Sequence, residues 1–172
     1  MQGFIREMIL RLADAQVEFV VVGGVSAVLH GVPITTVDLD VCYRRTPENI
    51  ARLVQVLAPL RPRLRGFPPD LPFVLDARAI QLGSNFTLEV GDESFDLLGV
   101  MSAIGGYDDV VAKAIDMALD SRTIRVLSLE QLIATKTAAG RAKDLAVLPV
   151  LRATLELQQR QVKPDDAPPL GS

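Results

Sequence analysis

Residues Val20 to Val41, VVVGGVSAVLHGVPITTVDLDV, constrain any fold that contains them more than the rest of the chain does. The apolar run before Gly23-Gly24 has the composition of a buried strand, and the paired glycines mark a turn that opens a short helix. After Pro33 the pattern changes to strict alternation: Val37, Asp38, Leu39, Asp40, Val41. With a period of two, the apolar side chains face one side of a strand and both carboxylates the other. Side chains two positions apart on a strand are about 6.5 to 7 Å apart. Two acids so placed can hold one divalent ion jointly or bracket a pair. A glycine turn at the N-terminus of a nearby helix presents backbone N–H groups to a phosphate. Each motif is common alone. Their close succession, strand to turn to helix to acidic strand, suits chemistry on a metal-bound nucleoside triphosphate.

The remaining composition narrows the chemistry by exclusion. His30 is the only histidine and Cys42 the only cysteine. A disulfide framework, a zinc-thiolate cluster and multi-histidine metal sites are therefore excluded, and a Ser-His-Asp or Cys-His nucleophile would have to rest on His30 alone. Catalysis would otherwise have to rest on carboxylates, Lys, Arg and metal. His30 reads as a packed or capping residue, and Cys42 and Tyr43 as structural. The net charge of −3 and an isoelectric point near 5.2 argue against a general nucleic-acid-binding protein. A local basic patch remains open, because Arg61, Arg63 and Arg65 fall in a proline-rich stretch, residues 59–72, that reads as a solvated loop. The uncharged run Phe19 to Val37 has the length of a membrane span, but Gly23-Gly24, Gly31 and Pro33 break it and no basic residue flanks it closely. The N-terminal segment lacks a signal-peptide core. A cytoplasmic protein with no membrane association is expected.

The 172 residues are enough for one domain with a sizeable core. Periodicity predicts an amphipathic helix over 3–15, a strand over 17–22, a helix over 24–30 and the acidic strand over 36–43. Thr46-Pro47 is an N-cap with proline at the first helical position, opening a helix to about Ala58. Residues 86–90 and 93–98 flank Gly91-Asp92 as a β-hairpin. Residues 107–119 read as helix and 123–127 as a short strand. Ser128 to Gln131 is a capping box whose helix ends near Gly140, and a last helix covers 142–159, kinked at Pro149. The reading is an α/β (α+β) single domain over 1–161, a short mixed sheet of four to six strands flanked by helices, with a disordered tail over 162–172.

Asp96, between Phe95 and Leu97 in the second hairpin strand, points away from those apolar neighbours and supplies a third acid. With it, the segments GGVSAVLHG, TVDLD, FDLL and SLEQLIATKTAAGRAKDLAVL resemble a minimal nucleotidyltransferase of the DNA polymerase β superfamily, nearest to the small AbiEii-like group of toxin–antitoxin modules. The resemblance covers about residues 17 to 155. It implies that Gly23, Gly24 and Ser26 form the turn contacting the triphosphate. It implies that Asp38 and Asp40 hold both metal ions, and that Asp96 is the third acid, which deprotonates or orients the attacking hydroxyl. Lys136, Arg141, Lys143 and Asp144 match a K…R-x-KD segment bordering the nucleotide pocket.

The activity so implied is NMP transfer from an NTP to a hydroxyl, with two Mg2+ or Mn2+ ions. The acceptor is left open among RNA (a tRNA-like end included), a protein side chain and a small molecule, and a cognate antitoxin is an implied partner. Two departures stand out: Ile34 where relatives commonly carry Arg, and Val147 where they carry a second acid. Arg44 or Arg45 could substitute in space for the missing Arg. A catalytically inactive partner protein that keeps the fold for binding is the main alternative. A small-molecule modifier is a third, against which stands the expectation that it needs a larger acceptor domain.

Overall fold

A computed structural model describes residues 3–162 except Pro69 and Leu71. The first helix, α1 (Gly3–Asp14), buries Ile5, Met8, Ile9 and Leu12, the apolar face its periodicity predicts. Strand β1 (Phe19–Val22) is buried along its whole length and runs directly into α2 (Gly23–Leu29). Strand β2 (Asp38–Tyr43) follows, then α3 (Pro47–Leu57), started by Thr46, whose side chain accepts the Asn49 N–H. A 3-10 turn (Ala58–Leu60), the two-residue β3 (Arg63–Leu64) and α4 (Ala77–Leu82) lead to the hairpin of β4 (Asn85–Val90) and β5 (Glu93–Leu98). A small ribbon of β6 (Val100–Met101) and β7 (Gly105–Gly106) precedes α5 (Tyr107–Val111). The hairpin of β8 (Ala114–Leu119) and β9 (Arg122–Leu127), then α6 (Leu129–Ala139) and α7 (Ala142–Val162), complete the chain.

Seven strands form one mixed sheet in the order β3-β4-β5-β2-β1-β9-β8. The β2–β5 and β1–β9 pairs are parallel, and the others are antiparallel. The central strands are covered on both faces, which is why β1 reads as an unbroken apolar run. One face, carrying Val21, Leu39, Val41, Phe95 and Leu97, packs against α1, α3 and α4. The other, carrying Val20, Val22, Cys42 and Leu127, packs against Ala27 of α2, Tyr107 and Val110 of α5, and Leu132, Leu148 and Leu151 of α6 and α7.

The architecture agrees with the expected α/β layering, and four expectations are corrected. The main sheet has seven strands rather than four to six. Residues 107–119 are not one helix: α5 is a single short piece and 114–119 form β8, paired residue for residue with β9. Ile115, Met117 and Leu119 alternate, and in a half-exposed strand that alternation competes with helical spacing. Asp120, at φ 52, closes this hairpin. The arginine stretch contains β3, which pairs with β4. The last helix extends to Val162 with Pro149 inside it, and the rest of the expected tail lies outside the described residues.

One buried polar residue ties the sheet to its helices. Asn49 is fully buried on α3; its Oδ1 accepts the Glu18 N–H at 2.7 Å, and its Nδ2 donates to the carbonyls of Glu18 and Arg44 at 3.0 and 2.8 Å. Glu18 precedes β1 and Arg44 follows β2, so this amide joins the two strand ends where their ladder stops. Truncation would leave the Glu18 N–H and the Arg44 carbonyl without this partner, while the Glu18 carbonyl keeps the Arg44 N–H at 3.1 Å. Asn49→Ala is expected to lower the stability by about 2 to 4 kcal/mol, measured as a shift in urea midpoint at constant slope.

Candidate active site

The parallel register of β2 and β5 sets Asp40 opposite Asp96 and Asp38 opposite Ser94. Partners in register share a face, so all three acids project from the same side of the sheet. Along β2 that side passes from Cys42, inside the second core, to Asp40 at its margin and Asp38 half exposed. Leu98 and Asp96 repeat the gradient on β5. Burial, and then the like charges of Asp96 and Asp38, push the Asp40 carboxyl up to about 7, against the opposing pull of Lys136 and Arg65. Burial also raises Asp96, opposed chiefly by Arg65.

The two glycines admit these acids. Gly23 lies at φ 64, and a Cβ there would collide with the Asp40 carboxylate. A Cβ on Gly24 would come within 2.6 Å of Thr36 Oγ1. The turn is therefore packed against the strand that brings in the acids, a close approach only glycine permits. Ser26 is buried, and its hydroxyl donates to the Gly23 carbonyl at 3.1 Å, fixing the turn from inside.

The late K…R-x-KD segment gathers around one carboxylate. Asp144, on the first turn of α7, is almost wholly buried and accepts from Lys136 of α6 at 3.0 Å and from Arg141 Nε at 2.5 Å. Desolvation would raise its carboxyl, but the two cationic donors outweigh it and hold it below the usual range. Gly140, at φ 63, makes the bend that lets the two helices share this node. Lys136 also acts electrostatically on Asp40, and Lys143 on Asp96, so the segment borders the acids.

Arg65 is the residue that sequence reading assigned elsewhere. Just past β3, its Nη2 donates to Asp96 Oδ2 at 2.9 Å and its Nη1 lies 3.8 Å from Asp38 Oδ1. The register of β3 on β4, and of β4 on β5, carries it there, and only composition was visible locally. Arg44 and Arg45, the expected substitutes for an Arg at the position of Ile34, have partners away from the acid cluster. Arg44 pairs with Glu18 and Asp108 and lies over the Tyr107 ring, and Arg45 donates to the carbonyls of Gln81 and Gly83. Ile34 and Val147 pack at the margin of the second core. His30 Nε2 lies 2.9 Å from the Leu127 carbonyl, the buried Cys42 thiol is pushed up to about 12 by desolvation, and Tyr43 donates to the Ser84 carbonyl. All three are structural, as their sequence context indicates.

Among the described residues no three His, Cys, Asp or Glu side chains close around a single point as a metal cage. The acids nevertheless suit a divalent cation. Asp96 Oδ1 is buried without a hydrogen-bond partner among the described residues, directly across from a second carboxylate. A buried oxygen lacking a donor, beside like charge, is stabilised by a hard cation. Asp40 and Asp96 would hold it, with Asp38 at the outer edge.

No protein-family model and no curated protein matches the sequence. Solved structures do match. A Thermotoga maritima protein, solved as a candidate nucleotidyltransferase, is 17% identical with a TM-score of 0.54, over 92% of this chain and 91% of that one. ANT(2'')-Ia in complex with adenylyl-2''-tobramycin is 14% identical with a TM-score of 0.58, over 92% and 91%. Its solution structure, that of an antibiotic-resistance factor, gives 15%, 0.57, 94% and 90%. The fold is that of nucleotidyltransferases. This chain spans nine-tenths of the chain solved in complex with adenylyl-2''-tobramycin. Among the described residues no helix is long and apolar enough to cross a membrane.

The raised Asp40 carboxyl has a measurable consequence. Between about pH 4 and 7 the folded protein holds a proton there that the unfolded chain releases, so this group makes stability fall as pH rises through that window. Asp40→Asn removes the like-charge burden. In thermal melts without metal, the variant is expected to exceed the parent by several degrees at pH 8 and to converge with it near pH 4. Gly23→Ala, by contrast, should be destabilised at every pH, because the collision with Asp40 adds to the strain of a left-handed backbone.

Proposed function

We propose that this chain is a metal-dependent nucleotidyltransferase that moves an NMP from an NTP to a hydroxyl. The register that sets Asp40 against Asp96, beside a position where only glycine leaves room for the Asp40 carboxylate, is the observation that carries the reading. Nucleotidyl transfer depends mainly on positioning and charge neutralisation. When bound, Mg2+ or Mn2+ would supply Lewis acidity and neutralise charge at the reacting phosphate and at the acceptor oxygen. Asp38, Asp40 and Asp96 would hold the ions, Asp96 only the one beside the acceptor, and Asp96, its carboxyl raised by burial, would orient the acceptor hydroxyl and take its proton. Gly23, Gly24 and Ser26 shape the turn that faces the triphosphate. Lys136, Arg141, Lys143 and Asp144 form the border of the nucleotide pocket, with Asp144 holding two of the cations in place.

A cytoplasmic member of an AbiEii-like toxin–antitoxin pair fits this reading, with RNA as acceptor and a cognate antitoxin as partner. The nucleotidyltransferase-fold protein crystallised with adenylyl-2''-tobramycin supports a small-molecule hydroxyl as the second acceptor class. A non-catalytic partner protein would instead keep the Asp96–Arg65 pair as a permanent structural contact.

Incubation with each labelled NTP, Mg2+ and, in turn, total RNA, a protein extract and a hydroxyl-rich antibiotic panel identifies donor and acceptor together. Asp96→Asn is expected to reduce transfer by at least about a hundredfold while retaining NTP binding. Asp38→Asn should impair both. Undiminished transfer in Asp96→Asn would remove that residue from the site, and no labelled product with any NTP would leave the non-catalytic reading.

A further inference from the structure

The cations around the acid cluster differ in how they are committed. Lys136 and Arg141 both converge on the buried Asp144 and are partly neutralised by it. Arg65 has no such private partner: its guanidinium rests on Asp96 and close to Asp38, the carboxylates assigned above to metal. It covers the same edge of the site that a cation would take, but only half of it, since Asp96 Oδ1 is buried with no partner among the described residues. An arginine matches a carboxylate edge well, yet its planar fork cannot reach both oxygens of Asp96 and the facing Asp40. A small divalent ion can.

The backbone around Arg65 permits it to leave. Residue 65 is anchored by its own N–H, which donates to the Thr87 carbonyl at 2.9 Å, so the turn stays in register while the side chain is free to swing. Gly66, at φ 82, follows with nothing near it, and Phe67 beyond is more than half exposed. The Arg65 side chain is about one-third exposed.

We propose that Arg65 is a substrate-binding residue whose partner depends on metal. Without metal it is the counter-ion of Asp96 and Asp38. When a divalent cation takes those carboxylates, the guanidinium is released at the mouth of the site and binds the phosphates of the incoming nucleotide. This inference rests on the acid cluster being a metal site, as proposed above. Two effects of opposite sign follow from one side chain. Arg65 competes with metal in the absence of nucleotide, and it contributes charge-assisted hydrogen bonds to phosphate once metal is bound.

The test needs no turnover. Mn2+ binding is read from the free-ion signal in electron paramagnetic resonance, first without nucleotide. Inorganic tripolyphosphate is then titrated at saturating Mn2+ by calorimetry. Arg65→Gln is expected to bind Mn2+ at least about fivefold more tightly than the parent and tripolyphosphate at least about fivefold more weakly. Arg65→Lys, which keeps the charge but not the fork, should fall between them in both measurements. Circular dichroism melts confirm that each variant is folded, and Arg65→Lys carries the test if Arg65→Gln is not. Unchanged Mn2+ affinity, or changes of the same sign in both titrations, overturns the proposal alone. Absence of Mn2+ binding in parent and variants alike overturns it together with the metal-site reading.

Discussion

The fold turns on burying carboxylates at the end of a hydrophobic sheet face. Parallel pairing of β2 with β5 places Asp40 against Asp96, a juxtaposition that elementary electrostatics opposes. The opposition shows in Asp40, whose carboxyl stands near 7. Such an arrangement survives because the surrounding apolar contacts over-determine it: Leu39, Val41, Phe95 and Leu97 are all fully buried on the opposite side of the same two strands. The register that satisfies the core is the register that crowds the acids. A slip by one residue would invert every side chain on the strand, so the core fixes the site.

Much of this was legible locally. Alternation around Asp38 and Asp40, and around Asp96, gave the face of each acid, and Thr46-Pro47 and Ser128 gave the starts of α3 and α6. What escaped depends on pairings between distant segments. Nothing near Arg65 indicates that two successive strand registers deliver it to Asp96. Nothing near residues 114–119 indicates that β9 recruits them into the sheet. Asn49 escaped similarly: an amide in a helix reads as solvated until the strand ends it serves are placed beside it.

The glycine turn has a structural requirement that its sequence pattern does not reveal. Sequence suggested Gly23 and Gly24 as a cradle open to phosphate. In the structure both are first required by the protein's own atoms, the Asp40 carboxylate and the Thr36 side chain. Absence of a side chain lets turn and acidic strand meet, which sets the distance between any bound phosphate and the carboxylates.

The two facing carboxylates belong to strands separated by all of α3, β3, α4 and β4. Their meeting therefore waits on closure of a long chain loop, an entropic cost due before the contact returns anything. During synthesis β2 leaves the ribosome well before β5 exists, and Asp38 and Asp40 spend that interval on a strand whose available neighbour is β1, without Asp96. The acid centre is thus absent until β5 has been made and has paired with β2. For a protein whose chemistry would act on nucleotides, maturation of the fold is itself the point at which activity could begin.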